Sequence, residues 1–269
     1  MGRLDGKVGI VTGAGRNIGE AIAHAFVREG AKVAVIDIDE HLVRNVAEAI
    51  NRDHAGAALP IVADVSSGTD VQRMVKQVVE RFGGVDILVN NAAITDHKNI
   101  LDLEEEEWDR VIRVSLRSQF LCGKYVAKRL VEQGRGGRII NIASTSGHMG
   151  RPEATAYTAA KAAILNLTRS EAIQLAPYGI RVNSVTPNQI GTPVGLDYVP
   201  ESRKVKNLVG RPGRPTDIAA AVVFLASDDG DFMTASDLLV DGGALAGGSA
   251  FSTAPPAKES GQFSEPGKT

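Results

Sequence analysis

Residues 7–19 read KVGIVTGAGRNIG. Residues 7–12 are a short apolar run, residues 13–19 turn, and residues 18–29 carry apolar positions at helical spacing. A strand followed directly by a glycine turn and a helix is one half of a βαβ unit. The turn runs through Gly13, Asn17 and Gly19, with Gly15 adding freedom, and Asn17 is the non-glycine residue type that best tolerates positive φ. Such a turn lets backbone N–H groups and the helix N-terminus, from Gly13, Arg16, Asn17 and Ile18, approach a pyrophosphate. A glycine turn alone is weak evidence; its place between strand and helix strengthens it.

The same alternation continues outward. Strands are expected at 32–36, 61–63, 85–89, 138–142, 181–185 and 238–240, with helices at 39–52, 69–82, 108–133, 154–176 and 215–226. This argues an α/β fold, a doubly wound parallel sheet of Rossmann type in a single domain. Ligands of such sheets bind at the carboxyl ends of strands. Gly13, Asp37, Asp64, Asn91 and Ser144 all fall at such ends, so positions far apart in the chain converge on one edge.

Composition bounds the rest. The 269 residues are 43% hydrophobic, ample for a core, with no apolar run near the ~20 residues of a membrane span. The formal charge of −2 gives no general pull toward nucleic acid or an anionic membrane. The single cysteine, Cys122, allows no intrachain disulfide, and the five histidines show no ligand spacing, so no metal site is expected. The chain opens without a signal-like apolar region, and a soluble cytoplasmic protein is the expectation.

The stretch STSGHMGRPEATAYTAAK, residues 144–161, bears the candidate chemistry. Tyr157 and Lys161 stand i,i+4 and project from one helix face. A phenol ionises near pKa ~10, too high for a base at neutral pH, and a fixed ammonium beside it favours the phenolate. Ser144, at the end of a strand, could hydrogen-bond the same substrate oxygen. By itself this reads more readily as a surface Tyr–Lys pair, and the rest of the chain is what changes that reading.

Taken together, Ser144, Tyr157 and Lys161, the turn Thr12-Gly13-Ala14-Gly15-Arg16-Asn17-Ile18-Gly19 and the run Asn90-Asn91-Ala92-Ala93 resemble the short-chain dehydrogenase/reductase family. The similarity spans about residues 4–243, with the motifs in the family's order. It implies an NAD(P)-dependent oxidoreductase acting on CH–OH groups, exchanging a hydride between a nicotinamide and a secondary alcohol or its ketone. Tyr157 would be the general acid/base, Lys161 would tune it and hold the nicotinamide ribose, and Ser144 would hold the substrate oxygen. Asp64 and Val65 would hold the adenine, although Asp64 could instead cap the following helix. Asn91, Ala92 and Ala93 would lie along the nicotinamide ribose. Pro187, Asn188, Ile190 and Thr192 would hold the carboxamide, with Asn188 in the family's glycine position and tolerant of positive φ. The family's fourth catalytic residue, an Asn, is matched by Ser115, whose hydroxyl or carbonyl is expected to hold a water beside Lys161. A homotetramer pairing the two long helices is the family's usual assembly.

Cofactor choice turns on Asp37, 18 residues after Gly19, where an acid bonds the ribose hydroxyls and opposes a 2′-phosphate. The next residue, Ile38, is not a cation. Arg16 is the counter-signal, since some NADP enzymes of the family use a basic residue there; NAD is expected, with NADP the alternative. Thr95, Ser146, His148, Glu153 and Gln189 are candidate substrate-lining residues, with residues 193–210 as a lid. Residues 244–269, rich in Gly, Ser and Pro, are expected to be a flexible tail. The open alternatives are a 3-oxoacyl-thioester reductase using NADPH and a non-catalytic nucleotide-binding regulator.

Overall fold

The computed structural model describes residues 2–194, 205 and 207–247. Seven strands form one sheet: β1 Val8–Thr12, β2 Lys32–Asp37, β3 Ala58–Val62, β4 Ile87–Asn90, β5 Gly137–Ile142, β6 Ile180–Pro187 and β7 Asp237–Val240. Their spatial order is β3-β2-β1-β4-β5-β6-β7, and every pairing is parallel. The order reverses between β1 and β4, so the β1 and β4 loops diverge there and leave a crevice.

Side chains alternate across the sheet and build two cores. Val11, Val33, Val35, Val89 and Ile140 face one side, and Ile10, Ala34, Ile36, Leu88 and Ile139 face the other. The first face is covered by α1 Asn17–Arg28, α2 Glu40–Asp53 and, later in the chain, α7 Pro215–Ala226. The second is covered by α3 Gly68–Phe82 and α5 Ser118–Gln133, with α6 Thr155–Leu175 alongside. Phe26, Ile22, Met74 and Leu130 are fully buried between helix and sheet.

Several expected boundaries move. The third strand runs Ala58–Val62, earlier than the expected 61–63, and includes Pro60. It is the sheet's edge strand, where a residue without an N–H is tolerated. The long helix expected over 108–133 is instead α4 Glu105–Ile112, a π-helical turn Arg113–Arg117, and α5. π-turns within helices often mark functional positions, and this one contains Ser115. Asp39 caps α2 by accepting from the His41 and Leu42 N–H groups. Beyond β7, a short helix α8 Ala244–Gly247 replaces the start of the expected flexible tail. Asp241 holds it by accepting from the Gly243 and Leu245 N–H groups at 2.8 Å each. The remainder of that tail, 248–269, and most of the expected lid, 195–204 and 206, lie outside the described residues. No described helix is long and apolar enough to cross a membrane.

Candidate active site

The crevice is built from the turn after β1. Gly13 has φ +60°, and a Cβ there would stand 2.8 Å from the Cα of Ala92. Gly15 is needed for close approach instead of positive φ: a Cβ would meet Leu42 Cβ at 2.7 Å and Asp37 Oδ2 at 2.9 Å. Asn17 has φ +54°, as its residue type allows. Its Nδ2 donates to the Thr192 carbonyl at 2.9 Å, joining the turn to the segment after β6. Arg16 is the N-cap of α1 without a side-chain capping bond, so the positive end of this helix faces the turn uncapped by a side chain. That combination fits the pyrophosphate of a dinucleotide.

Asp37 closes the other side. Its Oδ2 accepts from the Gly15 N–H at 3.1 Å, and its Oδ1 from the N–H groups of Ile38 (2.8 Å) and Asp39 (3.3 Å). Three backbone donors thus hold one carboxylate at the end of β2, where nucleotide ribose hydroxyls would arrive. Ile38 beside it is 69% exposed. Asp64 lies past the end of β3 and accepts from the Ser66 N–H at 2.9 Å. It does not cap α3; Ser67 does, accepting from Asp70 N–H. Val65 is buried against the second core.

The run after β4 is fastened to the same turn. Asn91 Nδ2 donates to the carbonyls of Thr12 and Gly13, both at 2.9 Å, so this side chain braces the turn. Thr12 Oγ1 accepts from the N–H groups of Asn91 (3.0 Å) and Ala92 (3.2 Å). Thr12 therefore joins β1 to β4 at the crevice, a role its sequence position did not signal. Ala93 packs in a small cluster with Val111, Ala156 and Tyr157.

Tyr157 and Lys161 stand one turn apart on α6, and Ser144 follows two residues after the end of β5. Ser144 Oγ accepts from the Ser146 N–H at 3.1 Å, and the serine hydroxyl is near enough to act on the Tyr157 phenol. Lys161 is 1% exposed. Its Nζ lies 5.5 Å from the Tyr157 ring centre and donates to the Ile142 carbonyl at 2.6 Å. Burial brings the Lys161 ammonium down to about 7. The Tyr157 phenol is pushed above its ordinary value by burial, with Ser144 and the positive Arg151 pulling the other way. The expected lowering of the phenol by Lys161 is thus not what the protein alone displays. Desolvation penalises both charged forms.

Ser115 is fully buried, but its hydroxyl does not point its bonds at Lys161. Oγ donates to the Ile94 carbonyl at 2.7 Å and accepts from the Ile94 N–H at 3.0 Å. It pins the run after β4 to the π-turn. Two residues on, Asp96 is completely buried and accepts from the N–H groups of Ala156 (3.1 Å) and Tyr157 (3.0 Å). Asp96 was missed in the sequence; an acid between Thr95 and His97 has no periodic signal.

The candidate substrate residues divide. Ser146 is buried beside Ser144, and Glu153 is exposed four residues before Tyr157. Thr95 Oγ1 donates to the Asp96 carbonyl at 2.9 Å. His148 Nε2 is engaged with Asp237 Oδ2 at 2.9 Å and Thr186 Oγ1 at 3.3 Å, so the ring ties the loop after β5 to β6 and β7. After Pro187, positive φ falls on Gln189 (+50°) and Gly191 (+46°), not on Asn188 as expected. The turn is displaced by one residue because Gln189 and Gly191 bond with Gly213, whose N–H and carbonyl pair with them. Ile190 is buried in the first core.

Comparison with known proteins places the chain among them as follows. A family profile described as "Enoyl-(Acyl carrier protein) reductase" matches residues 13–244. The sorbitol dehydrogenase of Cereibacter sphaeroides is 36% identical over 255 residues, covering 90% of this chain and 98% of that protein. The galactitol 2-dehydrogenase of Agrobacterium fabrum is 38% identical over 257 residues, covering 90% and 98%. The 3-oxoacyl-(acyl-carrier-protein) reductase FabG of Thermotoga maritima is 38% identical over 246 residues, again covering 90% and 98%.

Proposed function

The chain belongs to the short-chain dehydrogenase/reductase family of oxidoreductases acting on CH–OH groups, and we propose that it is NAD-dependent and takes a secondary alcohol of the polyol class, or its ketone. The observation that carries the cofactor choice is the Asp37 carboxylate, held by the backbone of Gly15, Ile38 and Asp39. A carboxylate fixed in this way cannot turn aside from a 2′-phosphate, and like charges at contact are unfavourable. The polyol class is supported by the sorbitol and galactitol dehydrogenase relatives.

A bound nicotinamide would supply the hydride chemistry. The protein's own part is positional. Ser144 holds the substrate oxygen, and Tyr157 gives or takes the hydroxyl proton at its phenol oxygen. Lys161 anchors at the end of β5 through Ile142 and presents its ammonium beneath the tyrosine ring. Burial of Tyr157 and Lys161 strengthens each electrostatic interaction there once charge develops. Asp64, Val65, Asn91 to Ala93 and Pro187 to Thr192 frame the cofactor.

A 3-oxoacyl-thioester reductase using NADPH is the second reading, favoured by the FabG relative. The purified protein should be offered NAD and NADP with polyols, simple secondary alcohols and 3-hydroxyacyl thioesters. Turnover of a polyol with NAD, and tighter binding of NADH than NADPH, are expected. Turnover of the thioester alone, with NADP, would establish the second reading instead. Asp37→Ala combined with Ile38→Arg should invert the cofactor preference; an unchanged preference would remove Asp37 as its cause.

A further inference from the structure

We propose that Asp96 is a positioning residue for the reaction, setting the place of Tyr157 through the tyrosine's own backbone N–H and joining it to the dinucleotide turn. The inference rests on the reading of Tyr157 as the proton-transfer group.

Helix α6 begins abnormally. Its N-cap, Ala154, is in the left-handed region at φ +78° and ψ +52°, and it lends no side-chain cap. An alanine in that conformation is unfavourable because its Cβ crowds the following carbonyl, so the surroundings must hold it. They do so from another part of the chain. The Lys98 carbonyl accepts from the Ala154 N–H at 3.2 Å, and Asp96 takes the next free donors of the helix. Oδ2 accepts from Ala156 N–H and Oδ1 from Tyr157 N–H, one oxygen to each. The helix that carries Tyr157 is therefore capped by a carboxylate about sixty residues away in sequence, not by its own N-cap.

The segment bearing Asp96 is itself anchored. Thr12 holds the N–H groups of Asn91 and Ala92, Ser115 holds Ile94, and Asp96 holds Tyr157. These bonds form a continuous path from the glycine turn to the phenol-bearing residue. A cap that only stabilised a helix would not need to reach the catalytic position or to sit fully buried. Here the cap fixes the tyrosine relative to the surface on which the cofactor lies. Reacting groups misplaced by even 1 Å can cost on the order of a hundredfold in rate.

Asparagine tests this sharply. It matches aspartate in size but offers one acceptor oxygen, and its NH2 would oppose the second N–H. Losing the negative charge near the helix start would by itself favour the phenolate and speed alcohol oxidation at low pH. Losing position lowers the rate at every pH. Asp96→Asn and Asp96→Ser should be assayed with NAD and the best alcohol across the pH range, below each variant's unfolding temperature, with NADH binding titrated separately. The expected result is a fall in kcat of about tenfold or more, including on the high-pH plateau, which corresponds to at least about 1.4 kcal/mol of barrier. KM for the alcohol and Kd for NADH should stay within about threefold, because only transition-state placement is lost. A plateau kcat within about threefold of the parent, or kcat and NADH affinity falling by the same factor, overturns the proposal. If one variant fails to fold, the other decides. A parent that binds NADH yet turns over no alcohol, ketone or thioester refutes the functional reading first, and the inference with it.

Discussion

Lys161 Nζ donates to the Ile142 carbonyl at 2.6 Å, fastening the middle of the first turns of α6 to the last residue of β5. The lysine head is thereby fixed beside Ser144, two residues beyond Ile142, and beneath the ring of Tyr157. The bond places a buried ammonium where burial opposes its charge.

Lys161→Met should consequently stabilise the protein while removing activity. The folded Lys161 titrates near 7, below the ordinary lysine value. Between those values the unfolded chain binds a proton that the folded one does not, so stability falls as pH falls toward about 7 and levels off below it. The gain from methionine should be largest below about pH 7 and vanish near pH 10, since it removes that linkage. Thermal melts of both proteins across this range check it, with the loss of the Ile142 contact subtracting a constant amount. A gain independent of pH would show that the ammonium is not the cause.

Tyr157→Phe should reduce kcat by roughly 10²–10⁴-fold, the scale of positioned acid–base catalysis. NADH binding should be nearly unchanged, because the ring and backbone remain. Only the hydroxyl and its interaction with Ser144 are lost, so stability should change by no more than about 1 kcal/mol. Retention of about a tenth of the rate would assign the proton transfer to another group.

Ser115→Ala removes a hydroxyl that both donates to and accepts from Ile94. It leaves a part-buried N–H and carbonyl without that partner, costing about 1–3 kcal/mol in stability. The run carrying Ala92, Ala93 and Asp96 should loosen, and kcat should fall by less than about tenfold. Ser115→Asn, which keeps a donor and an acceptor, should recover most of both losses. Denaturant melts and kcat measured on the three proteins decide whether the hydroxyl acts through Ile94; a thousandfold loss in Ser115→Ala with intact folding would place it on the reacting atoms.

Glu171→Gln should stabilise the protein above neutral pH. Burial raises the Glu171 carboxyl to about 7, with the hydrogen bond from Asn141 pulling it down. Its partner geometry is close: Asn141 Nδ2 donates to Oε2 at 3.1 Å, and a side chain at Gly123 would meet Oε1 at 2.6 Å. Because the folded carboxyl holds its proton more tightly than the unfolded one, stability is lost as pH rises from about 4.5 to about 7. Gln keeps the acceptor for Asn141 and never ionises, so the gain should be absent at low pH and reach on the order of 3 kcal/mol above neutrality. Equal melting temperatures for the two proteins above neutral pH would contradict this.

Much of the fold and the outline of the site could be read from local pattern. Apolar runs of strand length alternated with helical periods, and period fixes which face of an element meets the sheet. The i,i+4 spacing of Tyr157 and Lys161 placed both on one helix face before any contact was known. Likewise, Asp37 at a strand end and glycine at positions 13 and 15 follow from what a tight turn and a nucleotide edge require. Boundaries moved by a few residues, at Pro60 and at the π-turn, where edge position and helix irregularity leave no periodic trace.

What the tertiary structure decided lies in partners distant along the chain. Thr12 meets Asn91 and Ala92, Ser115 meets Ile94, Asp96 meets Ala156 and Tyr157, and His148 meets Asp237. A hydrogen bond depends on where two backbones lie to within a fraction of an ångström, and local periodicity carries no such information. The same holds for charge. The sequence placed an ammonium next to a phenol and so implied a lowered phenol pKa, but the direction is set by desolvation. That quantity depends on how closely several elements pack around the pair, and only the folded chain contains it.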